Sequence, residues 1–128
     1  MAGDELVADG GVPLGPVFAA GVASLYYGGV FEGDDLKRGL NYLIQFVPNR
    51  GMSDTEGHYY YGHYYASQAM YLAGGDHWAL YYPPVRDEIL KEQLADGSWS
   101  DDVGATYATA MACVILQMPC EYLPIFQK

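Results

Sequence analysis

The sequence predicts an all-α fold, a partial α/α toroid of about five alternating inner and outer helices. Two observations predict it. Segments that are apolar nearly all round and rich in small residues alternate along the chain with amphipathic segments that carry the charges. The apolar segments also resemble one another, AAGVASLYYGG, YASQAMYLAGG and YATAMACVILQ, and their alanines Ala23, Ala69 and Ala110 recur at intervals of roughly 40–46 residues, the length of a two-helix repeat. A helix with no wet face must be surrounded, whereas one with a single apolar stripe lies outside. A simple up-down bundle is the other arrangement these helices allow.

Residues 1–16 form a lead-in loop, with glycine and proline concentrated in Gly10-Gly-Val-Pro-Leu-Gly-Pro16. The first helix is expected over Val17–Gly28. Asp34 and Asp35 are suited to cap a second, whose Leu36, Leu40, Leu43, Ile44 and Val47 keep one-face spacing until Pro48 stops it. Ser53-Asp-Thr-Glu56 has the form of a capping box before a third helix, His58–Ala73, which ends at Gly74-Gly75. In the fourth, Asp76–Leu94, the stripe Trp78, Tyr82, Val85, Ile89 stays in phase across Pro83-Pro84, so one kinked helix is expected. The fifth runs from Val103 to Met118, before Pro119.

The 128 residues suit one domain with a real core, and 51% hydrophobic against 17% charged is a globular composition. A net charge of −10 argues against nucleic acid or an anionic membrane as partner, because phosphates are repelled. Cys113 and Cys120 form neither a C-x-x-C nor a disulfide framework. The start MAGDELVADGG carries acids where a secretory signal needs bases, and the uncharged run Val17–Phe31 is too short and glycine-rich to span a bilayer.

The joint between the last two helices reads EQLADGSWSDD, residues 92–102. Each residue type there has a structural task. Gln93 can bridge the open carbonyl end of one helix to the following loop, Gly97 permits a positive-φ turn, and Trp99 can cover the joint with its indole nitrogen on a carbonyl. Asp101 or Asp102 is then expected to cap the next helix.

Gln93-x-x-x-Gly97-x-Trp99 is the pattern called the QW motif, and it resembles the repeats of squalene and terpene cyclases, whose toroids are shared with protein prenyltransferase β subunits. Asp96-Gly-Ser-Trp99 followed by Tyr107-Ala-Thr-Ala-Met-Ala112 is similar to the repeat joints and inner helices of that superfamily. Leu123-Pro-Ile-Phe-Gln-Lys128 looks like the carboxyl end of bacterial members. The resemblance implies a hydrophobic isoprenoid ligand, and it makes the chain look like a carboxyl-terminal portion of a ring. The family's catalytic features are missing. The cyclases' Asp-x-Asp-Asp acid has no counterpart in Glu32-Gly-Asp-Asp35 or Trp99-Ser-Asp-Asp102. The prenyltransferases' Asp-x-Cys zinc pair is broken by Met111, two before Cys113, and the Cys-Gly-Glu-Gln run of toroidal thioester proteins is absent.

No catalytic residue, metal ligand set or cofactor is therefore assigned. His58 and His63 are about 140° apart around a helix and do not share a face. The run His58-Tyr-Tyr-Tyr-Gly-His-Tyr-Tyr65 supplies the candidates for a substrate cavity: Tyr61, His63, Tyr64 and Tyr65, whose aromatic faces can stabilise a cation without capturing it. The two expectations for function are a cyclase-like portion whose acid lies elsewhere, and a non-catalytic toroid module for binding or assembly. An open toroid edge predicts self-association.

Overall fold

The computed structural model of the chain describes residues 15–44 and 58–121. Helices α1 (Gly15–Tyr27), α2 (Asp34–Ile44), α3 (His58–Ala73), α4 (Gly75–Lys91) and α5 (Ala105–Gln117) are followed by a 3-10 turn, Met118–Cys120, and no strand occurs among the described residues. The fold is all-α. The far end of the expected second helix at Val47, the Ser53–Glu56 box and the 123–128 tail lie outside the described residues.

Helix α1 starts two residues before the expected Val17, because Pro16 fits a first turn whose N–H has no partner anyway. It ends in a Schellman cap. Gly29 (φ +96°) gives its N–H to the Tyr26 carbonyl at 3.0 Å, and Val30 reaches the Leu25 carbonyl at 2.9 Å. Gly74 and Gly75, at φ +69° and +53°, turn α3 into α4 within one non-helical residue. Helix α4 runs unbroken through Pro83 and Pro84, and Tyr82, Val85 and Ile89 of the anticipated stripe are buried. Tyr81 joins them.

Helix α3 is central. It packs on α1, α4 and α5, while α2 lies chiefly on α1 and α4. Alanines line the close approaches between the apolar helices: Ala19 and Ala23 of α1, Ala66 and Ala69 of α3, Ala108 and Ala112 of α5 are all fully buried. Small side chains let such helices approach closely and fill the space between them.

The expectation that all three apolar helices be walled in is met only by α3. Helix α1 exposes Gly21, Ser24, Leu25 and Tyr27, and α5 exposes Ala105, Thr106, Ala110 and Gln117. The reason is position: α3 has an apolar neighbour on each flank, and α1 and α5 each have one. Among the described residues no helix is long and apolar enough to cross a membrane.

Candidate functional site

Four of the tyrosines of α3 lie on two opposed faces, Tyr59 on one and Tyr61, Tyr64 and Tyr65 on the other. Residues 59, 63, 66 and 70 fall on one side of a helix turning 100° per residue, and residues 61, 64, 65 and 68 fall roughly opposite. The first face meets α4: Tyr59 donates to the Glu88 carboxylate at 2.5 Å, and His63 pairs with Tyr81. Tyr61, Tyr64 and Tyr65 sit half-buried on the second face, away from α4.

They form one aromatic cluster. The Tyr61 and Tyr65 rings meet edge-on at 5.3 Å, and Tyr64 and Tyr65 at 5.0 Å. Tyr27 of α1 joins from one flank by donating its hydroxyl to Gln68, whose amide in turn donates to the Tyr64 carbonyl at 2.9 Å. Burial, followed by the neighbouring Tyr64 and Tyr65, pushes the Tyr27 hydroxyl up to about 12. Tyr107 of α5 is raised by burial, then by Asp101, Tyr61 and Tyr65. The cluster on α3 is thus joined by Tyr27 of α1, with Tyr107 of α5 close enough to interact with it electrostatically. Tyr27 and Tyr107 were missed by reading the α3 run alone. Their signal was available in the repeat, since both lie in or beside the small-residue segments.

His63 does not belong to this wall. It is 1% exposed, its Nδ1 lies 2.6 Å from the Tyr81 hydroxyl, and its ring meets Tyr59 edge-on at 4.7 Å. Nε2 is buried without a hydrogen-bond partner. Burial holds the imidazole down at about 3, so it is neutral at physiological pH. Two residues from Tyr61 and Tyr65, it was bound to face elsewhere.

The joint at residues 93–104 carries the expected roles in detail. Gln93 Nε2 donates to the Gly97 carbonyl at 2.8 Å, Gly97 takes φ +92°, and Trp99 Nε1 donates to the Ile89 carbonyl at 2.7 Å. Trp99 N donates to Thr109 Oγ1 at 3.0 Å, which ties the joint to α5 as well. The cap expected from Asp101 or Asp102 takes another form. Gly104, at φ +139°, is the N-cap residue of α5 and makes no side-chain cap bond, while Asp101 Oδ1 folds the preceding turn by accepting from Val103 and Gly104 N–H. Likewise α2 begins at Asp34 itself, so Asp34 and Asp35 lie within its first turn. There they still favour the positive helix end.

No family model, curated protein or solved structure matches this chain. The chemistry must be read from the side chains.

A cleft of about 340 Å³ on the α4 side of α3 is lined by Tyr59, Tyr60, Glu88, Glu92, Ser100, Asp101 and Asp102. Its field is negative: burial, then Glu92, Asp101 and Glu88, push Tyr60 up to about 12. Among the described residues, no group of three or more His, Cys, Asp or Glu side chains is placed to hold a metal ion. Cys113 is half-buried and Cys120 exposed, and both are free thiols. What the tyrosine wall offers is a broad π surface with hydroxyls at its edges, suited to holding an apolar molecule.

Proposed function

We propose that the chain is an arc of an α/α toroid of the terpene cyclase and prenyltransferase type, whose tyrosine wall holds an uncharged isoprenoid hydrocarbon and which supplies no acid to protonate it. The observation that carries this reading is the placing of Tyr61, Tyr64 and Tyr65 on the face of α3 opposite α4, flanked by Tyr27 from α1 and Tyr107 from α5. An inner-helix face lined with aromatic rings is what a toroid needs to hold a polyene. The net charge of −10 favours a neutral ligand over a diphosphate.

Purified chain titrated with squalene tests the reading. Saturable binding without turnover is expected, weakened at least tenfold in Tyr61→Ala and Tyr65→Ala. Absence of binding, or binding indifferent to both substitutions, overturns it. Turnover abolished by Tyr61→Ala would instead make the chain an enzyme.

A second reading, an assembly module, is favoured by the charge-free faces that α1 and α5 leave open. Toroid helices of this type pack against further repeats, in the same chain or in a second copy. Light scattering separates this reading from the first: a monomer at high concentration counts against it.

A further inference from the structure

We infer that the cleft between the start of α3, the end of α4 and the following joint is a second binding site, which takes an aliphatic diamine across two acidic walls. Glu88 and Glu92, one helical turn apart at the end of α4, form one wall, and Asp101 and Asp102 of the joint form the other. Tyr59 and Tyr60 come from α3, their rings meeting edge-on at 5.0 Å. Among the described residues no Lys, Arg or His lines the cleft.

Two polar groups there lack the partners that buried groups normally have. Tyr60 is only 5% exposed, and its hydroxyl makes no hydrogen bond to any described residue. Asp101 Oδ2 is buried without a donor, while Oδ1 accepts from the Val103 and Gly104 N–H groups. A carboxylate oxygen withdrawn from water with no donor costs free energy that a nearby cation offsets. Tyr60 feels both walls, since Glu92, Asp101 and Glu88 follow burial among the causes that raise its hydroxyl. Its oxygen therefore lies in a field that attracts positive charge, and it can accept from an ammonium.

The layout selects the ligand. A metal ion needs its ligands gathered at one point, and among the described residues no three His, Cys, Asp or Glu side chains are so placed. Carboxylates divided between two walls suit two separated ammonium groups instead, which donate only, as the carboxylates accept only. The methylenes between them lie along the Tyr59 and Tyr60 rings, which take apolar surface and cation alike. Glu88 is already engaged by the Tyr59 hydroxyl, so Glu92 and Asp101 are the principal anchors. Tyr61, Tyr64 and Tyr65 do not line the cleft, and the site stands apart from the tyrosine wall.

Calorimetric titration of the full chain with putrescine, butylamine and Mg²⁺ at physiological ionic strength tests this. Saturable binding of putrescine at one site is expected, with butylamine and Mg²⁺ each weaker by about fivefold or more. Glu92→Gln, a change at an exposed position, is expected to weaken putrescine about tenfold. Tyr60→Phe, which keeps the ring and removes the hydroxyl, should weaken it about threefold. Glu32→Gln removes the same charge from an exposed position outside the cleft and should leave binding unchanged. No saturable heat with putrescine, equal affinity for Mg²⁺, or Glu32→Gln weakening binding as much as Glu92→Gln overturns the inference.

Discussion

His63 Nδ1 and the Tyr81 hydroxyl face each other at 2.6 Å between α3 and α4, and neither side chain reaches solvent. Burial of the pair favours the neutral imidazole, because charging it here would strip the charge of water. Burial holds its folded-state value at about 3, against an ordinary 6.5. The folded value lies below the unfolded one, so the unfolded chain binds the extra proton first. The resulting contribution to stability is complete above about pH 6.5 and is lost as pH falls from there toward 3, by up to about 1.4 kcal/mol per pH unit. Acid affects the rest of the chain as well, so the informative quantity is the difference between wild type and a variant that lacks the imidazole. Urea unfolding of wild type and His63→Gln between pH 7 and pH 4.5 should show a steeper loss in the wild type. Parallel curves would mean that His63 is not held neutral by burial.

The indole of Trp99 fastens the α4–α5 joint to the carbonyl of Ile89, one turn back in α4. Trp99→Phe keeps most of the packing and leaves that buried carbonyl without this donor. The Ile89 carbonyl still accepts from the Glu92 N–H at 3.1 Å, so a loss of about 0.5–1.5 kcal/mol is expected. Trp99→Ala also opens a cavity and should cost about 3–5 kcal/mol. Chemical denaturation of the two variants measures both. If they lose equally, the packing of the ring contributes nothing beyond the hydrogen bond.

Gly97 supplies the turn that brings Gln93 back onto its own loop. A Cβ there would meet only Gln93 Nε2, at 3.9 Å, so space is not the difficulty. The difficulty is φ +92°, which an L side chain rarely adopts. Gly97→Ala should therefore destabilise by roughly 1–2 kcal/mol through backbone strain. Gly97→Asn should cost less, because Asn visits left-handed conformations more readily. Equal losses for the two would point to a steric cause instead.

The helices were legible because their signals are local. Glycine pairs end α1 and α3, and the Trp78–Ile89 stripe survives the prolines because Tyr82, Val85 and Ile89 are all buried in the one main core. The joint was legible for a similar reason: Gln93, Gly97 and Trp99 each do one short-range job. The site was less so. His63 lies between tyrosines in sequence, and only the direction of α4 decides that it turns inward while Tyr61, Tyr64 and Tyr65 turn away. Tyr107 joins them through tertiary packing of α5, which no spacing within α3 encodes. Open faces on α1 and α5 were likewise settled by how many neighbours each helix has.

Pro83 and Pro84 interrupt the amide ladder of α4 without ending the helix. Each proline lacks an N–H, so the carbonyls of Ala79 and Leu80 lose the donors they would meet in a regular turn. Leu80 is largely exposed and Pro84 is exposed, so water can serve that carbonyl and much of the usual interior cost of about 3 kcal/mol is avoided. Pro83 is half-buried and its ring fills space, so its removal exchanges a hydrogen bond gained for packing lost. Pro84→Ala is therefore expected to stabilise the chain by about 1 kcal/mol, a melting rise of roughly 4 °C, and Pro83→Ala to change it less. Thermal unfolding followed by circular dichroism checks both. A melting point lowered by Pro84→Ala would show that the ring itself holds α4 in the path that brings Tyr81 to His63, and the short contact between those two side chains would be lost with it.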